Sequence, residues 1–324
     1  MTPREIFGLI ETEMALVETE LESQSCSDIL LIRDIGRYIR NGGGKRIRPA
    51  ILLLAARMCG YRGAVGPRLG AVIEMIHSAT LVHDDIIDNS GTRRRQASVN
   101  ARWGNDISVL IGDWLYMTSF RVALSERQFR IMDILIEATR KMVEGELMQL
   151  EFNDNPEITE EQHLDISMRK TAFLFSAAAQ LGGVLGGIDA EREECLRLYG
   201  MNIGLAFQLV DDVLDLTSDE RTLGKPVQND LKEGKLTLPL IRLIKNGDPS
   251  HREIVRNALE TRADDAAVRE TIAGLVVKSG AADYVIEKAR NYALKAKDCI
   301  EGFPDNDARR ALLAVTGHIV ERDR

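Results

Sequence analysis

The chain has 324 residues, 44% of them hydrophobic and 28% charged, with a formal net charge of −8. At roughly 100–200 residues per domain, that length allows one large domain or two ordinary ones, and the composition excludes disorder, collagen and a simple coiled coil. The acidic balance argues against a nucleic-acid partner, which needs a basic face, but net charge says nothing about local fields and so leaves phosphorylated substrates open.

The N-terminus opens on Thr2-Pro3-Arg4-Glu5, a capping box with proline at the first helical position, followed by Ile6, Leu9, Ile10, Val17 and Leu21 on one face. It carries acids and no apolar core segment, so no signal peptide is expected. Helical periodicity continues over about 28–40, 50–59, 67–88, 105–124, 127–153, 160–186 and 190–217, with a second capping box at Thr159 to Gln162. Further helices are predicted at about 238–245, 250–260, 265–279, 283–300 and 305–321. Glycine- and proline-bearing breaks separate them, such as Asn41-Gly42-Gly43-Gly44 and Asn246-Gly247-Asp248-Pro249. Alternating β-branched runs, flexible linkers and solenoid repeats are all missing. The expected fold is therefore all-α, a single domain over residues 1–324 built as one large bundle of ten or more helices.

Thr171 to Ile188 carries no charge, yet Ser176, Gln180 and its glycines make it a poor bilayer span. Small residues there suit a buried helix approached closely by its neighbours, and no membrane span is predicted. The cysteines Cys26, Cys59, Cys195 and Cys299 form no CxxC pair, which points to a reducing compartment, and a cytoplasmic protein is expected.

Two DDxxD motifs carry the chemistry. Leu81-Val82-His83-Asp84-Asp85-Ile86-Ile87-Asp88 is echoed by Leu209-Val210-Asp211-Asp212-Val213-Leu214-Asp215, each near the end of a long apolar helix. The outer acids lie at i and i+4, about one turn apart, where like charges repel. A single DDxxD arises readily by chance, but two in matching apolar context do not. A hard divalent cation, Mg²⁺ above all, suits such sparse carboxylates and leaves coordination positions for water and phosphate.

Basic residues accompany the acids. Gly42-Gly43-Gly44-Lys45-Arg46-Ile47-Arg48-Pro49 is a cationic, glycine-rich turn before a helix; it is not a P-loop, because Arg46 stands where serine or threonine is needed. Arg93-Arg94-Arg95 follows the first acidic motif, and Lys225 and Lys235 follow the second. Acids for metal and cations for phosphate, interleaved twice, describe a site for a pyrophosphorylated substrate. His77, seven residues before Asp84, stands on the same helix face and reads equally well as a core histidine or a site residue.

Taken together, GGKRIRP, IHSATLVHDDIID, RKTAFLF, FQLVDDVLD and GKPVQNDLKEGKLTLPLI resemble the trans-isoprenyl diphosphate synthases over about Gly43 to Leu240. The resemblance implies a Mg²⁺-dependent prenyltransferase that condenses isopentenyl diphosphate with an allylic prenyl diphosphate in successive head-to-tail (1′-4) steps. Residue by residue, it implies Asp84, Asp88 and Asp211 as Mg²⁺ ligands with Asp215 as a fourth candidate, and Asp85 and Asp212 as catalytic members of the same clusters. Arg93, Lys170 and Lys225 resemble contacts to the allylic diphosphate, with Lys235 a weaker candidate. Lys45, Arg48, His77 and Arg94 resemble the isopentenyl diphosphate site, and Thr171 and Gln208 the polar groups beside the developing allylic cation. Two departures from the family pattern, Arg95 and Gln228 at usual glycine positions, bear on loop closure.

Small side chains at Ala79 and Thr80, five and four residues before Asp84, resemble the open tunnel of long-chain members. The expected product is a long all-trans polyprenyl diphosphate, octaprenyl as the best single choice, for quinone side chains. A shorter geranylgeranyl-type synthase is the alternative; a class I terpene cyclase and a non-catalytic partner subunit are more remote. The resemblance further implies a homodimer, and peripheral membrane contact for release of the product.

Overall fold

The computed structural model describes residues 1–94, 96–217, 229–262 and 265–321. Among these the regular structure is α-helical, apart from one hairpin pairing Thr92 with Ala97 and Arg93 with Gln96 (β1, Thr92–Arg93; β2, Gln96–Ala97). The all-α expectation holds. By Cα proximity the chain divides into two compact units, Met1–Thr139 with Leu174–Gly200 and Cys299–Val315, and Arg140–Phe173 with Met201–Asp298 and Thr316–Arg324.

The first unit begins with α1 (Pro3–Leu9), whose Thr2–Glu5 capping box forms as read: Thr2 N–H donates to Glu5 Oε2 and Glu5 N–H to Thr2 Oγ1. One continuous helix was expected through Leu21, but Ile10 interrupts it at φ −122° before α2 (Glu11–Gln24). Ile10 is fully buried, two residues after Gly8, so packing holds the break where helix propensity is weak. Then come α3 (Leu30–Asn41), α4 (Ile47–Met58), α5 (Val65–Ile87), the short α6 (Val99–Trp103) and α7 (Asn105–Ser125). The hairpin and α6 are additions to the sequence reading. Helix α5 is the axis of this unit, packed against α2, α4, α6 and α7.

Helix α8 (Phe129–Phe152) and α11 (Ala190–Thr217) each give residues to both units, and α10 (Phe173–Leu185) belongs almost wholly to the first. The uncharged stretch predicted to be a buried helix is one, with Leu174 to Gly183 all buried. A Cβ on Gly182 would lie 2.7 Å from the Leu52 carbonyl oxygen and the Ala56 nitrogen, so α10 and α4 touch backbone to backbone. Among the described residues α7 is the helix long and apolar enough to cross a membrane, and 44% of that stretch is buried.

The second unit contains α9 (Glu160–Ser167), which starts at the Thr159–Gln162 capping box. A π-turn, Met168–Ala172, follows directly. The sequence reads as one helix over 160–186; the structure keeps the rod but inserts this wide turn at Lys170-Thr171. Apart from α17 (Asp307–Val320), most of which belongs to the first unit, the downstream elements lie in this second unit: α12 (Asn229–Lys232), α13 (Leu238–Asn246), α14 (Pro249–Glu260), α15 (Ala266–Lys278) and α16 (Ala281–Cys299). Within this unit α13 packs on α9, α14 and α15.

Candidate active site

In the first unit the acidic motif sits on the last turn of α5, with Asp88 as its C-cap. The three acids differ in environment. Asp85 is 2% exposed, and its Oδ1 accepts from both Arg93 Nε at 2.9 Å and Arg93 Nη2 at 2.5 Å. Burial nevertheless pushes the Asp85 carboxyl above its usual pKa, against the pull of Arg93. Asp84 and Asp88 are only half-buried. Asp85 thus ties α5 to the hairpin, while Asp84 and Asp88 at i and i+4 keep more of their surface exposed.

The cations the sequence singled out converge around His77 on α5. Its imidazole is pushed well below the ordinary 6.5, first by burial and then by the charges of Arg48, Arg94, Arg93 and Arg46. His77 is therefore neutral at physiological pH, one ring nitrogen a donor and the other an acceptor. The turn before α4 is built on left-handed residues: Gly43 has φ +69° and Arg46, its N-cap, φ 49°. Arg46 holds that conformation through two ion pairs, Nη1 to buried Glu74 Oε1 and Nε to the more exposed Glu18 Oε1, each 2.7 Å. A Cβ on Gly44 would stand 2.8 Å from the Arg94 guanidinium, so glycine lets the turn lie flat against Arg94. Arg48 spreads over the Phe175 ring at 4.5 Å, while Lys45 is exposed. Ala79 is fully buried in a cluster with Ile35, Val82, Val99, Ile111 and Leu115; Thr80 turns its hydroxyl to the His77 carbonyl at 2.7 Å.

In the second unit the acids lie on the last turns of α11. Asp212 and Asp215 are each 1% exposed and Asp211 is half-buried. Both oxygens of Asp212 are engaged: Gln208 Nε2 donates to Oδ1 and His163 Nε2 stands at Oδ2, both at 2.8 Å. Gln208 in turn accepts from Thr171 Oγ1 at 2.7 Å. A chain of hydrogen bonds therefore joins Thr171, Gln208, Asp212 and His163, and Asp212 acts inside it much as Asp85 acts with Arg93. Lys170 pairs with Glu146 at 2.5 Å, and Lys235, 9% exposed, with Glu233 at 2.6 Å. Arg95, Lys225 and Gln228 lie outside the described residues.

A polyprenyl synthetase family model matches residues 30–275. This chain belongs to the polyprenyl synthetase family. The match extends past the Gly43–Leu240 window of the motifs, so the flanking helices share in the resemblance. Octaprenyl diphosphate synthase of Escherichia coli (strain K12) is 40% identical over 324 residues, 100% of each chain. A polyprenyl synthase from Caulobacter crescentus CB15, solved with calcium and isoprenyl diphosphate, superposes with a TM-score of 0.96 at 36% identity, covering 100% of this chain and 98% of that one. A decaprenyl diphosphate synthase from Rhodobacter capsulatus gives 0.93 at 33% identity, with 100% of both chains covered. The protein is thus a trans-isoprenyl diphosphate synthase, a prenyltransferase with the all-α fold of that family.

In this synthase the structure also adds residues the motifs did not single out. Glu18 and Glu74 hold Arg46 of the glycine-rich turn, His163 anchors Asp212, and Glu146 meets Lys170. The sequence held a faint signal for each, a charged or polar residue on an otherwise apolar helix face. Nothing local said which distant partner it would find.

Proposed function

We propose that this synthase extends an allylic prenyl diphosphate with isopentenyl diphosphate to a long all-trans chain, octaprenyl in the best single assignment, for quinone side chains. The observation that carries the length is Ala79: a fully buried methyl in an apolar cluster, five residues before Asp84, where a bulky side chain would block a growing tail. The octaprenyl and decaprenyl synthases to which the chain is similar support the same reading. A geranylgeranyl-type product is the alternative, and chromatography of the products made from geranyl and farnesyl primers separates the two. Products ending at C20 would overturn the long-chain assignment.

The donors suit a divalent cation. Asp84 and Asp88 are half-buried oxygen donors one turn apart, and Asp211 is likewise half-buried. Such a sparse set fits Mg²⁺ shared with diphosphate and water. Asp84, Asp88, Asp211 and Asp215 are the residues we assign to hold it; Asp85 and Asp212 set their geometry. When bound, the ion supplies positive charge against the diphosphate leaving group. Arg93, Lys170 and Lys225, with Lys235 as a weaker candidate, bind the allylic diphosphate and stabilise charge that grows as its C–O bond breaks. Lys45, Arg48, Arg94 and neutral His77 bind isopentenyl diphosphate. Thr171 and Gln208 direct their dipoles toward the allylic cation, and the surrounding apolar helices exclude the water that would quench it. The isopentenyl double bond attacks that cation, and the released pyrophosphate takes the proton that leaves.

In this reading residues 1–324 are a single catalytic domain, and the enzyme works as a cytoplasmic homodimer with peripheral membrane contact for product release. Four free cysteines support the reducing compartment. An apolar row on the first unit supports the dimer: Leu110, Met117 and Leu124 repeat every seven residues on α7, Phe129 and Ile136 on α8, and all five are exposed.

A further inference from the structure

Lys170 does not sit on an ordinary helix. It lies inside the π-turn Met168–Ala172, and that turn is gripped from α8 by three consecutive residues, Glu144, Gly145 and Glu146. Glu144 Oε2 accepts from Arg169 Nη1 at 2.5 Å, and Glu146 Oε2 from Lys170 Nζ at 2.5 Å. Between them Gly145 is buried, and a Cβ there would lie 2.7 Å from both the Lys170 backbone nitrogen and Arg169 Cβ. The backbone of α8 therefore rests directly on the backbone of the wide turn. The other oxygen of Glu146, Oε1, is buried and has no hydrogen-bond partner. A buried carboxylate oxygen left in that condition is costly and is expected to carry a role. Single π-turns inside α-helices are themselves frequent at functional sites.

We propose that Glu146 is the positioning residue of Lys170, and that Gly145 is the close contact which seats the π-turn where Glu146 can reach it. An ammonium has three donors. The Glu146 carboxylate takes one of them and so fixes the bearing of the ammonium in the turn. The neighbouring residue, Thr171, is fixed in the same turn by its hydrogen bond to Gln208, so the turn delivers a cation and a hydroxyl side by side with defined bearings. Glu146 also lowers the rotamer freedom of the four-carbon Lys170 chain before substrate arrives.

The proposal rests on the reading that Lys170 contacts the allylic diphosphate. The test is therefore a cycle of Glu146→Ala, Lys170→Ala and the double variant in the full-length enzyme, with Glu146→Gln as the conservative control. KM is measured separately for farnesyl diphosphate and isopentenyl diphosphate, and Tm for each variant. Glu146→Ala is expected to raise KM for farnesyl diphosphate roughly tenfold with the isopentenyl KM unchanged, and Glu146→Gln, which keeps an acceptor, to recover most of it. In the double variant, adding Glu146→Ala to Lys170→Ala should cost nothing more. If Lys170→Ala raises the farnesyl KM but Glu146→Ala does not, the positioning role is wrong while the substrate reading stands. If Lys170→Ala leaves that KM unchanged, the substrate reading itself fails. A lower farnesyl KM in both Glu146 variants would show a charge competitor rather than a positioner, and would also overturn the proposal. Gly145→Ala supplies a second line: the added methyl should displace the turn and raise the farnesyl KM, and an unchanged KM in a folded variant counts against it.

Discussion

Asp212 and His163 meet in the core of the second unit, Oδ2 to Nε2 at 2.8 Å, with 1% and 5% of their surfaces exposed. The remaining oxygen of Asp212 takes the Gln208 amide at 2.8 Å. The middle acid of the second motif is consequently an internal anchor; of the outer two, Asp215 is equally buried and Asp211 half-buried. The first motif repeats the arrangement with Asp85 and Arg93.

Removing the imidazole should expose that role. His163→Phe leaves a buried carboxylate oxygen without a partner, at about 1–3 kcal/mol. Thermal unfolding should show a drop of a few degrees. Turnover should fall as well, since Gln208 and Thr171 lose their fixed neighbour. An unchanged Tm and kcat would mean that the contact orders nothing.

The two kinds of aspartate should separate by assay. Asp84→Ala is expected to abolish turnover while leaving Tm close to that of the parent, because Asp84 is half-buried and offered to the ion. Asp85→Ala strands Arg93, whose side chain keeps 36% exposure and so softens the loss to about 1–3 kcal/mol. Comparing melting curves with pyrophosphate release checks both. Equal destabilisation by the two changes would contradict the division.

His77 makes stability depend on pH. Its pKa in the folded protein lies well below 6.5, pushed there first by burial and then by the neighbouring arginines. Below the unfolded value the unfolded chain binds a proton that the folded chain refuses, so unfolding becomes easier as pH falls. Stability from this group is complete above about 6.5 and is lost as pH drops toward the folded pKa. Urea unfolding between pH 7.5 and 5.5 should show a slope that His77→Gln reduces.

Ala79→Phe should shorten the product. The ring enters a fully buried position beside Ile111 and Leu115, at an overpacking cost of about 1–3 kcal/mol. Radiolabelled isopentenyl diphosphate and chromatography would show the shift. Full-length product from a stable Ala79→Phe enzyme would remove Ala79 from the tunnel.

Much of this was legible in the chain. Helices reveal themselves through a local period of apolar residues, and capping boxes at Thr2 and Thr159 are contacts between residues three apart, so both formed as read. The same locality placed the outer acids of each motif on one face, and the glycine-rich turn beside its cations. Less local features were not visible. The break at Ile10 and the short helix after Ser98 answer to packing, and the π-turn at Lys170 answers to a glycine on another helix.

By itself, then, the sequence determined the helical class, the two carboxylate pairs and the family, because each depends on residues near one another along the chain. Which acid in each motif is an anchor, which carboxylate meets Lys170, and how neutral His77 is were decided only by tertiary structure. Those properties come from burial and from charges brought up by chain folding, across 49 residues between His163 and Asp212. A low dielectric and a fixed neighbour make the difference between identical side chains, and neither is written in local spacing.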